Sequence, residues 1–143
     1  MPNAFLDTNV LLYAAMHELP LNDQRKRPVA VDLLQSQHFG LSGQVLAEFY
    51  ANAVAKGSRP LSHSEAGAWL QRLKEQTCVP VDTDLVQSGA ALAARYQISY
   101  WDGAILAAAH QLGAKTLYTE DLNDGQVYGD VTVKNPFKPA AAH

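Results

Sequence analysis

The chain has a single cysteine, Cys78, so no internal disulfide can brace the fold. Cys78 lies in the apolar stretch Cys78-Val79-Pro80-Val81, the setting of a buried, reduced thiol and not of a nucleophile. Long apolar runs are missing as well, which argues against a membrane span, and the N-terminus lacks the basic-then-apolar pattern of a signal peptide. Together these absences point to the cytoplasm. Basic excess is also absent: 11 Lys and Arg face 14 Asp and Glu, for a net charge of −3. That balance argues against a protein that holds nucleic acid by bulk electrostatics alone, but not against a nuclease whose carboxylates are neutralised by bound cations. The histidines His17, His38, His63, His110 and His143 show no paired zinc-ligand spacing and no H-E-x-x-H. There is no Gly-rich phosphate loop ending in Lys-Ser/Thr and no dinucleotide fingerprint. Gly40-Leu41-Ser42-Gly43-Gln44 misses the G-x-S-x-G nucleophile elbow, because Gln44 stands where the last glycine belongs.

What is present suits one globular domain. An apolar fraction of 48% over 143 residues supplies one sizeable core, with no linker, repeat or composition break. Asn3 to Leu6 reads as a first strand ended by Asp7, followed by a helix over Val10 to Met16. The polar segment His17 to Pro28 reads as a loop, and Val29 to Gln37 has helical spacing. Phe39 to Ser42 is a second strand, with Ser42 placed to cap a helix that runs to Lys56 and stops at Gly57. Ser62-His63-Ser64-Glu65 matches a capping box for a helix to about Glu75. Its Trp69, Leu70 and Leu73 share one side, serving either the domain's own core or a partner surface.

Further strands are expected at Cys78–Val81, Lys115–Thr119 and Val131–Lys134. Between them lie two helices, one capped by Thr83 and running through Tyr96, the other capped by Ser99 and running from Tyr100 to Leu112, with Gly113 as stop signal. Strands alternating with helices predict an α/β fold with a mostly parallel sheet of about five strands and helices on both faces. The domain is expected over residues 1–137, and residues 138–143 as a loose tail.

In open α/β sheets ligands gather beyond the carboxyl ends of the strands, so acids falling there carry the chemistry. Asp7 directly follows the first strand, and Glu48 lies early in the helix after the second. Asp102 opens the helix before the fourth strand, and Glu120 and Asp121 follow that strand at once. Each has an ordinary alternative: an N-cap for Asp7, a solvated helix acid for Glu48, a capping box with Ser99 for Asp102, a polar loop for the last two. Several carboxylates on one site repel one another, a cost that a hard divalent cation offsets; Mg²⁺ and Mn²⁺ prefer oxygen ligands. The chemistry this suggests is metal-assisted phosphodiester hydrolysis. Arg25-Lys26-Arg27 and the Lys56/Arg59 pair are candidate phosphate contacts, with ordinary solvated charge as the alternative.

Phe5-Leu6-Asp7-Thr8-Asn9 resembles the opening of the aspartate-nucleophile phosphatases related to haloacid dehalogenases. Those enzymes place a second Asp two positions after the first, where Asn9 stands here, and the reading is set aside. A fuller likeness covers nearly the whole chain. Phe5-Leu6-Asp7-Thr8-Asn9-Val10-Leu11-Leu12-Tyr13, Val45-Leu46-Ala47-Glu48-Phe49, Ser99-Tyr100-Trp101-Asp102-Gly103-Ala104-Ile105-Leu106-Ala107 and Leu117-Tyr118-Thr119-Glu120-Asp121-Leu122 follow one another in that order. Val131 to Asn135-Pro136-Phe137 closes the series. In these segments the chain resembles the PIN-domain ribonucleases, specifically VapC-type toxins of bacterial toxin–antitoxin pairs. The resemblance implies metal-site and catalytic acids at Asp7, Glu48, Asp102 and Asp121, with Glu120 as an additional contributor and Thr8, Asn9 and Thr119 in support. It also implies a Mg²⁺- or Mn²⁺-dependent endoribonuclease acting on RNA, a homodimer, and an antitoxin that covers the site. The alternative from another class is a PIN-like module that binds RNA or protein without cutting.

Overall fold

Ala4-Phe5-Leu6 is apolar at every position. In the computed structural model, which describes residues 1–139, it forms strand β1 (Ala4–Leu6), fully buried. Continuous burial is the mark of an interior parallel strand covered on both faces. β2 (Phe39–Ser42) pairs with β1, and β3 (Thr77–Val79) with β2, both in parallel. β4 (Thr116–Tyr118) lies on the other side of β1, with Leu6 opposite Tyr118. Beyond it come β6 (Val131–Lys134) and the antiparallel edge strand β5 (Val127–Tyr128), giving the order β3-β2-β1-β4-β6-β5.

This order fixes where the helices go. From β1 to β2 to β3 the chain steps in one direction, and from β3 to β4 it returns past β1. Right-handed crossovers therefore put α1 (Thr8–Ala15), α2 (Lys26–Ser36), α3 (Gly43–Ala53) and α4 (His63–Leu73) on one face. α5 (Thr83–Tyr96) and α6 (Tyr100–Leu112) lie on the other. Contacts between α1 and α2, α1 and α3, and α3 and α4 join the first layer, while α5 and α6 pack on each other. α6 is buried from Gly103 to Ala109, as a helix must be when it is held between a sheet and a second helix. The strand order reverses between β1 and β4, and that switch point opens a crevice at their carboxyl ends.

Most element boundaries agree with the sequence reading to within three residues, and the departures have local causes. α2 begins at Lys26, so Pro28 sits inside its first turn, where a missing N–H costs nothing, and does not close the loop. A short 3₁₀ turn (Leu21–Asp23) occupies the middle of the expected loop. α5 is capped by Asp82, whose carboxylate accepts from Leu85 N at 2.8 Å, in place of Thr83. β5 was not expected. It is two residues long and pairs through the tight Gly129-Asp130 turn, where Gly129 takes a positive φ of 61°.

Leu73 is buried, and Trp69 and Leu70 pack against the core, so that side of α4 serves the domain itself. Among the described residues no helix is long and apolar enough to cross a membrane. The expected tail falls largely on residues 140–143, outside the described residues.

Candidate active site

Asp7 is the residue at which β1 becomes α1. Its backbone N–H donates to Tyr118 O on β4 at 3.1 Å, which pins it beside the switch point. The side chain is buried, with Oδ1 accepting from Thr8 N at 2.7 Å and Oδ2 from the Thr119 hydroxyl at 2.6 Å. Thr119 in turn accepts from Asp121 N at 3.1 Å. One hydroxyl therefore ties the Asp7 carboxylate to the loop that carries Asp121. The N-cap reading of Asp7 is correct as far as it goes, but a cap is normally solvated, and this one is not.

Burial raises the Asp7 carboxyl from 3.8 to about 6. Its two hydrogen bonds pull the other way, and the negative charges of Asp121 and Glu48 push it higher. Asp102 is half-buried and its pKa is also raised, by burial first, with Asp121 adding to the shift and the Ser99 hydroxyl opposing it. Asp121 thus acts on both Asp7 and Asp102, and Glu48 acts on Asp7. The four acids expected from sequence form one electrostatic neighbourhood.

The elements deliver them by simple means. Ser42 caps α3 through Val45 N at 3.2 Å, which starts the helix at Gly43 and places Glu48 in its second turn. Ser99 caps α6 through Asp102 N at 3.1 Å. The reciprocal half of a capping box, formed between Ser62 and Glu65 at the start of α4, is not formed at Ser99. Asp102 is therefore not consumed by capping.

Glu120 belongs elsewhere. It takes Lys26 Nζ at 2.9 Å and the Tyr13 hydroxyl, and Lys26 also reaches Asp23 at 3.0 Å. Burial pushes the Tyr13 phenol up to about 12, with the Glu120 hydrogen bond reinforcing it. Burial alone would lower the Lys26 pKa, but its bonds to Glu120, Asp23 and Tyr13 outweigh that and hold it above the ordinary lysine value. Glu120 is the counter-ion of Lys26, with one carboxylate oxygen taken by that ammonium and the other by the Tyr13 hydroxyl.

The two arginines of the basic triplet also donate to backbone carbonyls. Arg25 Nη1 donates to Phe137 O at 2.6 Å, and Arg27 Nη1 to Ala14 O at 3.1 Å. Lys26 and Arg27 act as internal braces, while Arg25 is exposed and keeps the reading as solvated charge apart from its bond to Phe137 O. Lys26→Met should strand Glu120 and cost about 1–3 kcal/mol in thermal unfolding, leaving divalent-cation binding unchanged. A loss of cation binding would return Glu120 to the site.

The donor set suits a hard cation. Carboxylate oxygens of like charge are brought together, and beside Asp7 the Thr8 hydroxyl oxygen is buried without a hydrogen-bond partner. Among the described residues no three His, Cys, Asp or Glu side chains are arranged to hold a metal directly. A cation here would take direct ligation from one or two acids and keep several waters, the habit of Mg²⁺.

Sequence reasoning missed Gln44, which donates to Glu48 Oε1 at 2.7 Å. The signal that could have found it is the four-residue spacing on one helix, since i and i+4 side chains meet.

An α/β domain with an acidic cluster at the switch point of a mostly parallel sheet is the class this arrangement defines. The model of the PIN domain family matches residues 4–128, and the chain belongs to that family. No curated protein matches it. Among solved structures, a toxin–antitoxin complex from Klebsiella pneumoniae superposes with a TM-score of 0.68 at 19% identity, covering 95% of this chain and 99% of that one. VapC20 of Mycobacterium tuberculosis, described as a sarcin–ricin loop cleaving toxin, gives 0.65 at 17% identity, with 82% and 89% covered. FitAcB from Neisseria gonorrhoeae gives 0.58 at 21%, with 94% and 98% covered.

Proposed function

We propose that this chain is a Mg²⁺- or Mn²⁺-dependent endoribonuclease, the toxin of a bacterial type II toxin–antitoxin pair. The observation that carries the reading is the buried Asp7 carboxylate, fixed by Thr8 and Thr119 while Glu48 and Asp121 make its charge costly. Burying a charge among like charges is a poor way to stabilise a fold, and an efficient way to prepare a cation site. Asp7, Glu48, Asp102 and Asp121 would hold the cation, directly or through water. When bound, it would lower the pKa of a water and offset negative charge on the phosphate and the departing 3′-oxygen.

The protein's own part is to present oxygen ligands in a fixed pattern and to orient the attacking water by a carboxylate. The products would be a 5′-phosphate and a 3′-hydroxyl. With a net charge of −3, phosphate binding rests on cations held by the acids more than on a basic face. Lys56 shares a depression with Asn9 at the side of α1 and supplies one positive group there.

A solved structure of similar fold that holds a toxin–antitoxin complex supports an antitoxin partner for this chain, and a homodimer in a cytoplasmic setting completes the proposal. Purified protein should cut an RNA pool with Mg²⁺ or Mn²⁺, stop in EDTA, and resume on addition of Mn²⁺. Mn²⁺ at about 100 times its dissociation constant should stabilise the fold by about 2.7 kcal/mol. Tight RNA binding with no cleavage under any of these conditions would replace the nuclease by a binding module.

A further inference from the structure

Glu48 is a long, flexible side chain whose charge acts on Asp7, and it keeps one orientation only where a neighbour holds it. Gln44, one helical turn earlier, does so. Its Nε2 donates to Glu48 Oε1 at 2.7 Å and, more distantly, to the backbone carbonyl of Trp101 at 3.4 Å. Both partners are pure acceptors, so the amide nitrogen must face them, and its two hydrogens suffice for both. A bond from an amide to a carboxylate is charge-assisted and about twice as strong as a neutral one.

The second contact matters for geometry. α3 and α6 lie on opposite faces of the sheet, and Trp101 directly precedes Asp102. Through Gln44 one side chain reaches across the carboxyl end of the sheet and connects the helix of Glu48 to the first turn of α6.

We propose that Gln44 is a positioning residue, setting the orientation of Glu48 and its separation from Asp102, and through them the affinity for the divalent cation. The proposal rests on the nuclease reading above and assigns Gln44 no contact with cation or RNA. A merely structural role, support of the first turns of α3, is the competing account.

The full chain carrying Gln44→Met, which keeps the side chain's length and loses both donors, separates the two. Mn²⁺ binding is followed by isothermal titration and by the free-Mn²⁺ spin resonance signal, alongside thermal unfolding without metal. The variant is expected to bind Mn²⁺ about 10–100-fold more weakly, as when a group that orients a ligand is removed. Metal-free unfolding should stay close to wild type. Cleavage should need correspondingly more Mn²⁺ for half-maximal rate, with much of the maximal rate recovered at saturation.

Gln44→Ala, which favours the helix and leaves nothing to clash, should behave alike and covers the case in which Met packs badly. Wild-type Mn²⁺ affinity in both variants overturns the proposal and leaves the nuclease standing. So does a fall in unfolding temperature with the Mn²⁺ requirement unchanged. A wild-type chain that takes up no Mn²⁺ overturns the nuclease reading and this proposal together.

Discussion

Asp7→Asn is expected to lower RNA cleavage by at least about 10²–10³-fold and, without metal at pH 7, to make the protein more stable. The second effect follows from the first cause. In the folded chain the carboxyl titrates near 6, against an ordinary 3.8, so folding favours its neutral form. The stability that preference supplies is complete below about pH 4 and is lost as pH rises through 6. At pH 7 the ionised side chain therefore costs the metal-free protein up to about 3 kcal/mol, each tenfold step in acidity being worth about 1.4 kcal/mol.

Asparagine removes the charge, keeps an acceptor for Thr8 N, and gives up the strong bond from Thr119. A net gain of about 1–2 kcal/mol remains, or roughly 3–6 °C in unfolding temperature. Near pH 4, where the wild-type carboxyl is neutral too, the gain should vanish and the variant should become the less stable of the two by about 1 kcal/mol. Excess Mn²⁺ should reverse the order, stabilising wild type and not the variant. Unfolding curves of both proteins at pH 4.5 and 7, with and without Mn²⁺, test every arm. A variant that is less stable at pH 7 would make Asp7 a helix cap and nothing more. A variant that still cleaves at the wild-type rate would remove it from the chemistry.

The same carboxylate shows what the sequence could and could not convey. Asp7 after a short apolar strand, and Ser42 and Ser99 before apolar helical runs, are local signals, and the corresponding elements form where expected. The α/β alternation was legible for the same reason, since a parallel sheet must be crossed by helices. What was not legible depends on distant partners. Glu120 sits next to Asp121 in the chain and looks equally available, yet Lys26, 94 residues away, claims it. The triplet Arg25-Lys26-Arg27 reads as free charge until the Phe137, Ala14 and Glu120 acceptors are in place. β5 is too short for any periodicity, although the Gly129-Asp130 pair is a recognisable two-residue hairpin signal. Gln44 had a clear local relation to Glu48, but its second contact, to Trp101 57 residues on, appears only in the folded chain.

Gly103→Ala should be the most damaging single methyl in the molecule's second layer. Gly103 follows Asp102 on α6 and faces α5, where Gly89 meets Ala104 in the same way. A Cβ at 103 would lie 2.4 Å from Gly89 O and 2.9 Å from Ala93 N. Both are backbone atoms of a packed helix, so no side chain can swing aside and α5 itself must move. Overpacking of this kind costs about 1–3 kcal/mol, and rigid neighbours put it at the upper end. Alanine returns about 1 kcal/mol through its better helix propensity, leaving a loss of about 2 kcal/mol. For a chain of this size that is roughly 4–8 °C in unfolding temperature.

The consequence for function comes from adjacency. If α6 tilts to relieve the clash, Asp102 moves with it, and a misplacement of about 1 Å can cost on the order of 10²-fold in rate. Activity at a temperature where the variant is fully folded should therefore fall as well, together with Mn²⁺ affinity. Gly67, where an added methyl meets nothing, is the control: Gly67→Ala on α4 should keep activity and gain stability through the same propensity term. Equal stability for the two alanine variants would show that α5 and α6 are not locked at the glycines. Asp102 would then owe its place to the Ser99 cap alone.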